Sequence, residues 1–300
     1  MKIFVTGGTG FVGNEVVRQL VAQGHEVAAL VRSGSESKLD MANADQVNIH
    51  PGDVTEPDTL PPAMQGCDAV IQLVGIIKEI PDKGVTFKRL HVAGSRNVIE
   101  AAVAQGIKRY LHMSANGARL EANTLYHQSK WQAEQVLRDA PLDWTIFRPS
   151  LIFGRGGEFV EMLAGLIRKL PVVPVIGDGQ YRIQPVSVHQ VAETYVKALT
   201  LPETIGQIYH LGGSKSYTYD DILDLTGKAL GKDQVRKIHQ PVSMVKPIVK
   251  LLEGFEKFPL TQDQLAMLLE GNECDTQSWA ETFSIQPVSY AKGIGECFRE

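Results

Sequence analysis

Cysteine is scarce in this chain, with three residues among 300: Cys67, Cys274 and Cys297. An odd number at wide spacing matches neither a disulfide framework nor a metal-ligand pattern. The eight histidines include no HxxxH or HExxH pair, so we predict no metal site. This cysteine usage predicts a reducing compartment.

Long apolar runs and an excess of positive charge are also missing. The longest apolar stretch, 70–77, is interrupted at Gln72 and Gly75 and is too short to span a bilayer. A formal net charge of -4 predicts no attraction to nucleic acid or to an anionic membrane. Because a strand is predicted from Lys2, no space remains for a leader, and we expect a cytoplasmic protein.

A glycine-rich turn follows the first predicted strand, residues 3–5. The turn and the start of the next helix comprise Gly7, Gly8, Thr9, Gly10, Phe11, Val12 and Gly13. A strand, a glycine turn and a helix in this order bind phosphate, because backbone amides approach a pyrophosphate at the positive end of the helix. Two registers, G-x-G-x-x-G from Gly8 and G-x-x-G-x-x-G from Gly7, predict the same dinucleotide site.

Buried strands alternate with helices along the first half of the chain. The predicted strands are 26–31, 47–50, 69–74, 109–114 and 144–148, and the predicted helices are 14–22, 87–104 and 125–138. Continuous apolar strands of this kind are typical of a parallel sheet that is covered on both faces. We therefore predict an α/β fold, a doubly wound Rossmann-like parallel sheet with ligands at the carboxyl ends of its strands.

The alternation changes after Arg148. A helix is predicted at 159–170 and an apolar strand at 171–176, and 184–199 resembles one more strand and helix that return to the sheet. From Gly212 onward the pattern is mainly helical. We predict an NAD(P)-binding Rossmann domain at 1–153 and 184–211, and a smaller, mostly helical substrate or partner lobe at 154–183 and 212–300.

The end of the second strand bears on which dinucleotide binds. An NAD-specific protein usually has a carboxylate there for the ribose 2'-hydroxyl, whereas this chain has Arg32 and Ser33. Arg32 is suited to a bidentate contact with a 2'-phosphate, so NADP(H) is favoured and NAD(H) stays possible; the alternative is a solvated loop arginine. Asp53, before Val54, is either an adenine-binding carboxylate or an ordinary turn residue.

Tyr126 and Lys130 are four residues apart on a predicted helix. Side chains at this spacing share one face, so a phenol and an ammonium can act together. The positive charge is expected to lower the tyrosine pKa and make the phenol a usable acid or base.

These motifs resemble the extended short-chain dehydrogenases/reductases over nearly the whole chain. The matching stretches are 6–13, 52–54, Tyr126-x-x-x-Lys130 and 148–154. Residues 111–118 and the segment that begins at Pro259 are similar to an atypical branch of that family. This branch holds proteins labelled nucleoside-diphosphate-sugar epimerases and the NAD(P)H-binding accessory subunit of mitochondrial complex I.

The resemblance implies roles for individual residues. Tyr126 would be the acid/base, and Lys130 would bind the nicotinamide ribose. Val74 and Gly75 would lie along the cofactor, and Pro149 would supply backbone near the nicotinamide amide. The implied activity is that of an NAD(P)-dependent oxidoreductase or an epimerase/dehydratase-like protein, which moves hydride between the nicotinamide and a substrate carbon.

Two residues depart from the family pattern. Ser114 is the nearest match to the catalytic Ser or Thr, with Ala115 beside it, and His91 stands where the family commonly has asparagine. These departures favour an alternative, a non-catalytic NADP(H)-binding subunit or redox sensor whose C-terminal lobe contacts a protein partner or membrane complex.

Arg182 falls where sugar-nucleotide enzymes place a diphosphate-binding arginine, although Ile183 follows it instead of aspartate. The alternative is an exposed arginine at a strand edge. A sugar nucleotide, a quinone-like lipid and a small carbonyl compound all stay open as substrates.

A further apolar stripe lies near the C-terminus. Its members are Met244, Val245, Ile248, Leu251, Leu252 and Phe255. We expect this stripe to be the inner face of the C-terminal lobe; the alternatives are a lid over an apolar substrate and a docking face for a membrane complex or lipid surface.

Overall fold

The computed structural model describes residues 1–41, 44–255, 258 and 260–299. Pro259, where the segment similar to the atypical branch of the family begins, lies outside these residues. The strands are β1 (Lys2–Thr6), β2 (Glu26–Val31), β3 (Val47–Pro51), β4 (Ala69–Gln72), β5 (Arg109–Met113), β6 (Asp143–Pro149), β7 (Ile152–Phe153), β8 (Val173–Ile176), β9 (Arg182–Ile183), β10 (Val186–Ser187), β11 (Gln207–Leu211), β12 (Tyr217–Thr218) and β13 (Lys237–Gln240). The α-helices are α1 (Phe11–Ala22), α2 (Leu60–Met64), α3 (Gly94–Ala104), α4 (Leu125–Arg138), α5 (Glu158–Lys169), α6 (Val188–Ala198), α7 (Tyr219–Ala229), α8 (Val242–Leu252), α9 (Gln262–Glu270), α10 (Gln277–Phe283) and α11 (Tyr290–Gly293). A π-helical segment, Lys88–Ala93, leads directly into α3.

Seven strands form the main sheet, in the order β11-β6-β5-β4-β1-β2-β3. The pairings of β1 with β2 and β4, of β2 with β3, and of β5 with β4 and β6 are parallel. All four residues of β4 are buried, which explains its continuous apolar pattern. The predicted Rossmann-like fold is confirmed.

The order of the strands reverses beside β1. The chain continues from β1 to β2 and β3 on one side, and then crosses to β4 and β5 on the other. In doubly wound sheets, ligands bind at the carboxyl ends of the strands at this switch point. A ligand site is therefore expected among the residues that follow β1, β2, β4 and β5.

One predicted strand does not join the main sheet. Residues 184–199 contain β10 and α6, but β10 pairs with β7 in a separate two-stranded sheet. The place beside β6 is taken by β11, whose residues come after α6. The expectation that residues 184–199 supply the returning strand was therefore wrong, because strand pairing depends on tertiary contacts that the local pattern does not contain.

The chain divides into two compact units. The first unit comprises Met1–Arg148, His189–Tyr209 and Glu281–Ser284, and the second comprises Pro149–Val188, His210–Ala280 and Ile285–Glu300. Phe4, Tyr110 and Leu137 belong to the core of the first unit, and Phe153 and Tyr290 to that of the second. These units are defined by backbone contacts, whereas the predicted division into a nucleotide-binding domain and a substrate lobe concerns function and stays a prediction.

The cysteines and the helix lengths bear on the compartment. Cys67, Cys274 and Cys297 are free thiols, and the first and last of them are buried. Within the described ranges, no helix combines the length and the apolarity that crossing a bilayer requires.

Gly13 provides a test of the turn between β1 and α1. A Cβ at Gly13 would lie 2.0 Å from the carbonyl oxygen of Gly7, which is backbone and cannot move aside. We expect Gly13→Ala to lower the free energy of unfolding by about 1–3 kcal/mol, measured by urea denaturation. Gly165→Ala is the matched control, since Gly165 is also helical but has open space around it, and should stabilise by about 0.5–1 kcal/mol. Equal stability of the two variants would contradict this account.

Candidate functional site

The glycine turn places its backbone against the segment that follows β4. Gly7 adopts a left-handed φ of +74°, and a Cβ there would lie 2.9 Å from the amide nitrogen of Val74. Gly10 is the N-cap of α1 and has no side chain to accept the first N–H groups of the helix. These donors at the positive end of a helix fit the diphosphate of a dinucleotide. The remaining predicted residues of the turn are Gly8, which is buried, and Thr9, Phe11 and Val12, which are half-buried.

Arg32 and Ser33 lie exposed at the carboxyl end of β2. Among the described residues, none forms a hydrogen bond or an ion pair with the Arg32 guanidinium. Asn14 on α1 holds the loop that follows: its Nδ2 donates to the carbonyl of Lys38 at 2.9 Å, and its Oδ1 accepts from the amide of Asp40 at 2.8 Å. Asn14 was not predicted, although a polar residue just after Gly13 is a signal for it.

Asp53 is held by the turn in which it lies. Its Oδ1 accepts hydrogen bonds from the backbone amide of Thr55 at 2.8 Å and from the Thr55 hydroxyl at 2.9 Å. This arrangement accounts for Asp53 as a turn residue and leaves its Oδ2 available for a ligand. Val54 is buried in the core of the first unit.

The ammonium group of Lys130 is buried within the first unit. The residue is 3% exposed, and its Nζ donates to the carbonyl of Met113, at the end of β5, over 3.2 Å. A Cβ at Gly75, just past β4, would lie 2.8 Å from this Nζ. Burial lowers the pKa of Lys130 to about 8, and the nearby Glu134 opposes that shift. The ammonium therefore lies where β4 and β5 end, beside the switch point.

Tyr126 begins the same helical face one turn earlier. Its ring contacts His127, His91 and Phe87, with centroid separations of 5.2, 5.7 and 5.8 Å. Burial raises the pKa of Tyr126 to about 12, so the expected lowering by Lys130 is not observed. The cause of the shift is desolvation, which disfavours the charged phenolate. The phenol is consequently protonated near neutral pH.

His91, at the family's asparagine position, is an uncharged imidazole that forms hydrogen bonds through both ring nitrogens. Its Nε2 accepts from the amide of Ile76 at 2.9 Å, and its Nδ1 lies 2.8 Å from the hydroxyl of Ser129. The Ser129 hydroxyl itself donates to the carbonyl of Tyr126, so Nδ1 is assigned as a donor to Ser129. Burial, followed by the charge of Lys130, lowers the pKa of His91 to about 2 and that of His112 to about 3. His91 thus ties the segment after β4 to α4.

Ser114 belongs to a buried polar network. Its hydroxyl donates to Glu134 Oε1, and Glu134 also accepts from Arg148 Nε at 2.9 Å and from Nη2 at 2.6 Å. Glu134 is 0% exposed, so this bidentate pair joins α4 to β6 inside the unit. Glu134 was not predicted, although its place four residues after Lys130 on the same helical face is a signal.

Pro149 and Arg182 belong to the second unit. Pro149 is buried at the end of β6. Arg182 is about half exposed, and its Nε lies 3.1 Å from both Ser216 Oγ and Glu273 Oε1. The guanidinium at this predicted diphosphate site is therefore paired with protein groups.

A cavity of about 740 Å³ also lies in the second unit. Its lining residues are Gly177, Asp178, Gln180, Tyr181, His239, Pro241, Val242 and Leu269. The Tyr181 hydroxyl is inaccessible to solvent and has no hydrogen-bond partner among the described residues. His239, by contrast, is paired, because its Nε2 lies 3.0 Å from a carboxylate oxygen of Asp220.

The buried network predicts a large effect on stability. Glu134→Gln removes the charge that Arg148 needs, and we expect a loss of about 3 kcal/mol in the free energy of unfolding, measured by urea denaturation. Glu193→Gln is the control, because its 2.7 Å pair with Lys197 lies on the surface. That change should stay within about 0.5 kcal/mol. Similar losses for both variants would show that Glu134 does not anchor the network.

Comparison with known proteins relates this geometry to a family. A family model described as NAD(P)H-binding matches residues 7–202, about two thirds of the chain. Photosystem II assembly factor Ycf39 of Trieres chinensis is 26% identical over 267 residues, covering 89% of this chain and 80% of that protein. NADH dehydrogenase (ubiquinone) 1 alpha subcomplex subunit 9, mitochondrial, of Dictyostelium discoideum is also 26% identical, covering 87% of this chain and 73% of that protein.

A solved structure shows the same fold. The dTDP-glucose 4,6-dehydratase DesIV of Streptomyces venezuelae, with NAD and TYD bound, aligns with a TM-score of 0.78 and 23% identity. The alignment covers 99% of this chain and 95% of that one. This chain therefore belongs to the NAD(P)H-binding family and has the fold of the extended short-chain dehydrogenases/reductases.

Proposed function

We propose that this protein binds NADP(H) in preference to NAD(H) and acts as an oxidoreductase or as an epimerase/dehydratase-like enzyme. The observation that carries this proposal is the position of Lys130. Its buried ammonium is on the helical face of Tyr126, lies against Gly75, and is close to the ends of two strands beside the switch point. A nicotinamide ribose at this edge would meet a cation and a phenol on adjacent turns of one helix.

The cofactor preference depends on the loop after β2. The exposed Arg32 would contact a 2'-phosphate, Ser33 would add a hydroxyl, and Asn14 keeps residues 38–40 in place beside them. The glycine turn would hold the diphosphate, and the free oxygen of Asp53 would accept from the adenine amino group. Val74, Gly75 and Pro149 keep the cofactor contacts that the family resemblance implies.

The state of Tyr126 favours proton donation. When bound, the nicotinamide supplies or accepts hydride. A phenol that burial keeps protonated gives its proton to the oxygen of a substrate carbonyl as hydride reaches the carbon, which yields an alcohol. Lys130 holds the ribose and provides positive charge near the phenolate that remains. Oxidation is the reverse, with the phenolate taking the proton.

A second function is favoured by the Ser114 hydroxyl. Its hydrogen bond to Glu134 gives the group in the catalytic serine position a structural partner. Together with His91, this supports a non-catalytic NADP(H)-binding subunit or redox sensor. The names of two relatives, an assembly factor and a subunit of NADH dehydrogenase, agree with that alternative.

The substrate and the location stay open within this proposal. The half-exposed Arg182 would bind the diphosphate of a sugar nucleotide after exchanging its partners Ser216 and Glu273. A quinone-like lipid or a small carbonyl compound would not need that exchange. A cytoplasmic location and the absence of a nucleic-acid partner stay predictions from the composition.

The first experiment tests the cofactor. Arg32→Ala should weaken NADPH binding by about 10–100-fold and leave NADH binding within about twofold, since only the charge-assisted contact to the 2'-phosphate is lost. Fluorescence titration of the purified protein measures both affinities. Arg96→Ala, which removes an exposed arginine from α3, is the control and should change neither. An equal loss of affinity for NADPH and NADH would contradict the proposed contact of Arg32 with the 2'-phosphate.

The second experiment separates the enzyme from the subunit. With NADPH and a panel of sugar nucleotides, quinones and small carbonyl compounds, Tyr126→Phe should lower turnover at least about 100-fold. NADPH affinity should stay unchanged, because the phenol moves a proton and does not hold the cofactor. Tyr209→Phe is the control for removing a buried phenol. If the wild-type protein binds NADPH but turns over no compound from any of these substrate classes, the non-catalytic alternative is favoured.

A further inference from the structure

Helix α8 has two apolar faces. On one side Val249 is 1% exposed, and Val245 and Leu252 are partly buried. The other side carries an outer stripe of Met244, Ile248, Leu251 and Phe255, which are 68%, 54%, 77% and 64% exposed. The expectation that the predicted stripe faces inward therefore holds for two of its six residues, Val245 and Leu252, and is wrong for the other four.

The spacing makes the outer stripe continuous. Its members follow one another by four, three and four residues, and at about 3.6 residues per turn they form a single row. The backbone amide of Phe255 donates a hydrogen bond to the carbonyl of Leu252 over 2.9 Å, so a turn continues for three residues beyond the end of α8. Large apolar side chains that are exposed in a row mark an interaction site more often than an ordinary surface.

The charges on α8 have one sign. Lys246 and Lys250 are exposed, and no Asp or Glu lies between the ends of the helix. The adjacent Glu253 accepts hydrogen bonds from the backbone amide of Gln262, at 2.8 Å, and from its side chain. The acid is thus engaged with the start of α9, and the exposed side of α8 is basic.

Pro247 identifies the side of α8 that stays in a polar environment. Proline has no N–H, so the carbonyl of Ser243 lacks its usual donor within the helix. At helical spacing, Ser243 and Pro247 lie on the same side as the two lysines. Water or lipid headgroups can satisfy this carbonyl, whereas an acyl layer cannot.

We propose that α8 docks on an anionic lipid surface. The outer stripe enters the boundary between headgroups and acyl chains, and Lys246 and Lys250 extend along it to reach anionic headgroups. The net charge of the chain does not oppose this, because charges farther than about 10 Å from the surface are screened. Pairing with a second copy through the same stripe would bring four lysines together with no acid on either helix, so lipid is the better occupant.

Vesicle flotation with the full chain tests the proposal. Wild-type protein should bind vesicles of phosphatidylcholine with phosphatidylglycerol, and bind pure phosphatidylcholine at least about tenfold more weakly. Ile248→Gln with Leu251→Gln should weaken binding to the anionic vesicles at least about tenfold, through lost apolar burial. Lys246→Glu with Lys250→Glu should do the same through charge.

Leu120→Gln is the matched control, because Leu120 is 63% exposed on the first unit and should not affect vesicle binding. Unchanged thermal unfolding midpoints will show that the variants are folded. Three results would overturn the proposal: no vesicle binding by wild type, equal binding to both kinds of vesicle, or equal loss with Leu120→Gln. If the wild-type protein is a dimer that does not bind vesicles, and the variant with Ile248→Gln and Leu251→Gln is a monomer, the outer stripe pairs with a second copy of the chain instead.

Discussion

The organisation of the first unit depends on the close approach of backbone segments beside β1. The turn after this strand passes so near to the segment following β4 that a side chain at Gly7 would meet the backbone at Val74. The same turn folds back on itself, so that Gly13 touches the carbonyl of Gly7. These contacts let α1 begin immediately after the turn, at Phe11. The N-cap of α1 is Gly10, which has no side chain to cap the helix, and uncapped N–H groups at a helix start are donors that suit a phosphate.

A second constraint is the burial of charge behind this edge. Lys130 and Glu134 lie on one face of α4, and the loss of water around each charge is compensated by different partners. The lysine donates to the carbonyl of Met113 and its pKa falls, whereas the glutamate is satisfied by Arg148 and Ser114. Because buried charge without partners is costly, these contacts fix α4 against β5 and β6. They stabilise the unit regardless of whether it performs chemistry.

Local patterns were sufficient for those parts of the fold that local forces determine. The bounds of β2 and α4 agree with the predicted ones. β2 is an apolar run between turn residues, and Thr124 caps the first turn of α4, so each element carries a local signal for its bounds. The error concerned the strand at 184–199, since its partner is chosen by distant segments. The site shows the same division: the glycine turn and the Tyr126–Lys130 pair are visible in sequence, but the partner of Ser114 is not. That hydrogen bond exists only when β5 and α4 are packed together.

Burial also explains why the tyrosine differs from the expectation. Spacing indicates that a cation is close, but it does not give the depth at which both groups lie. Depth raises the pKa of Tyr126 and lowers that of Lys130, so both shifts favour the neutral forms. With this bias the Tyr126 phenol keeps its proton near neutral pH. The two parts of the candidate site are therefore built in different ways: backbone contacts alone shape the glycine turn, whereas burial sets the protonation of Tyr126 and Lys130.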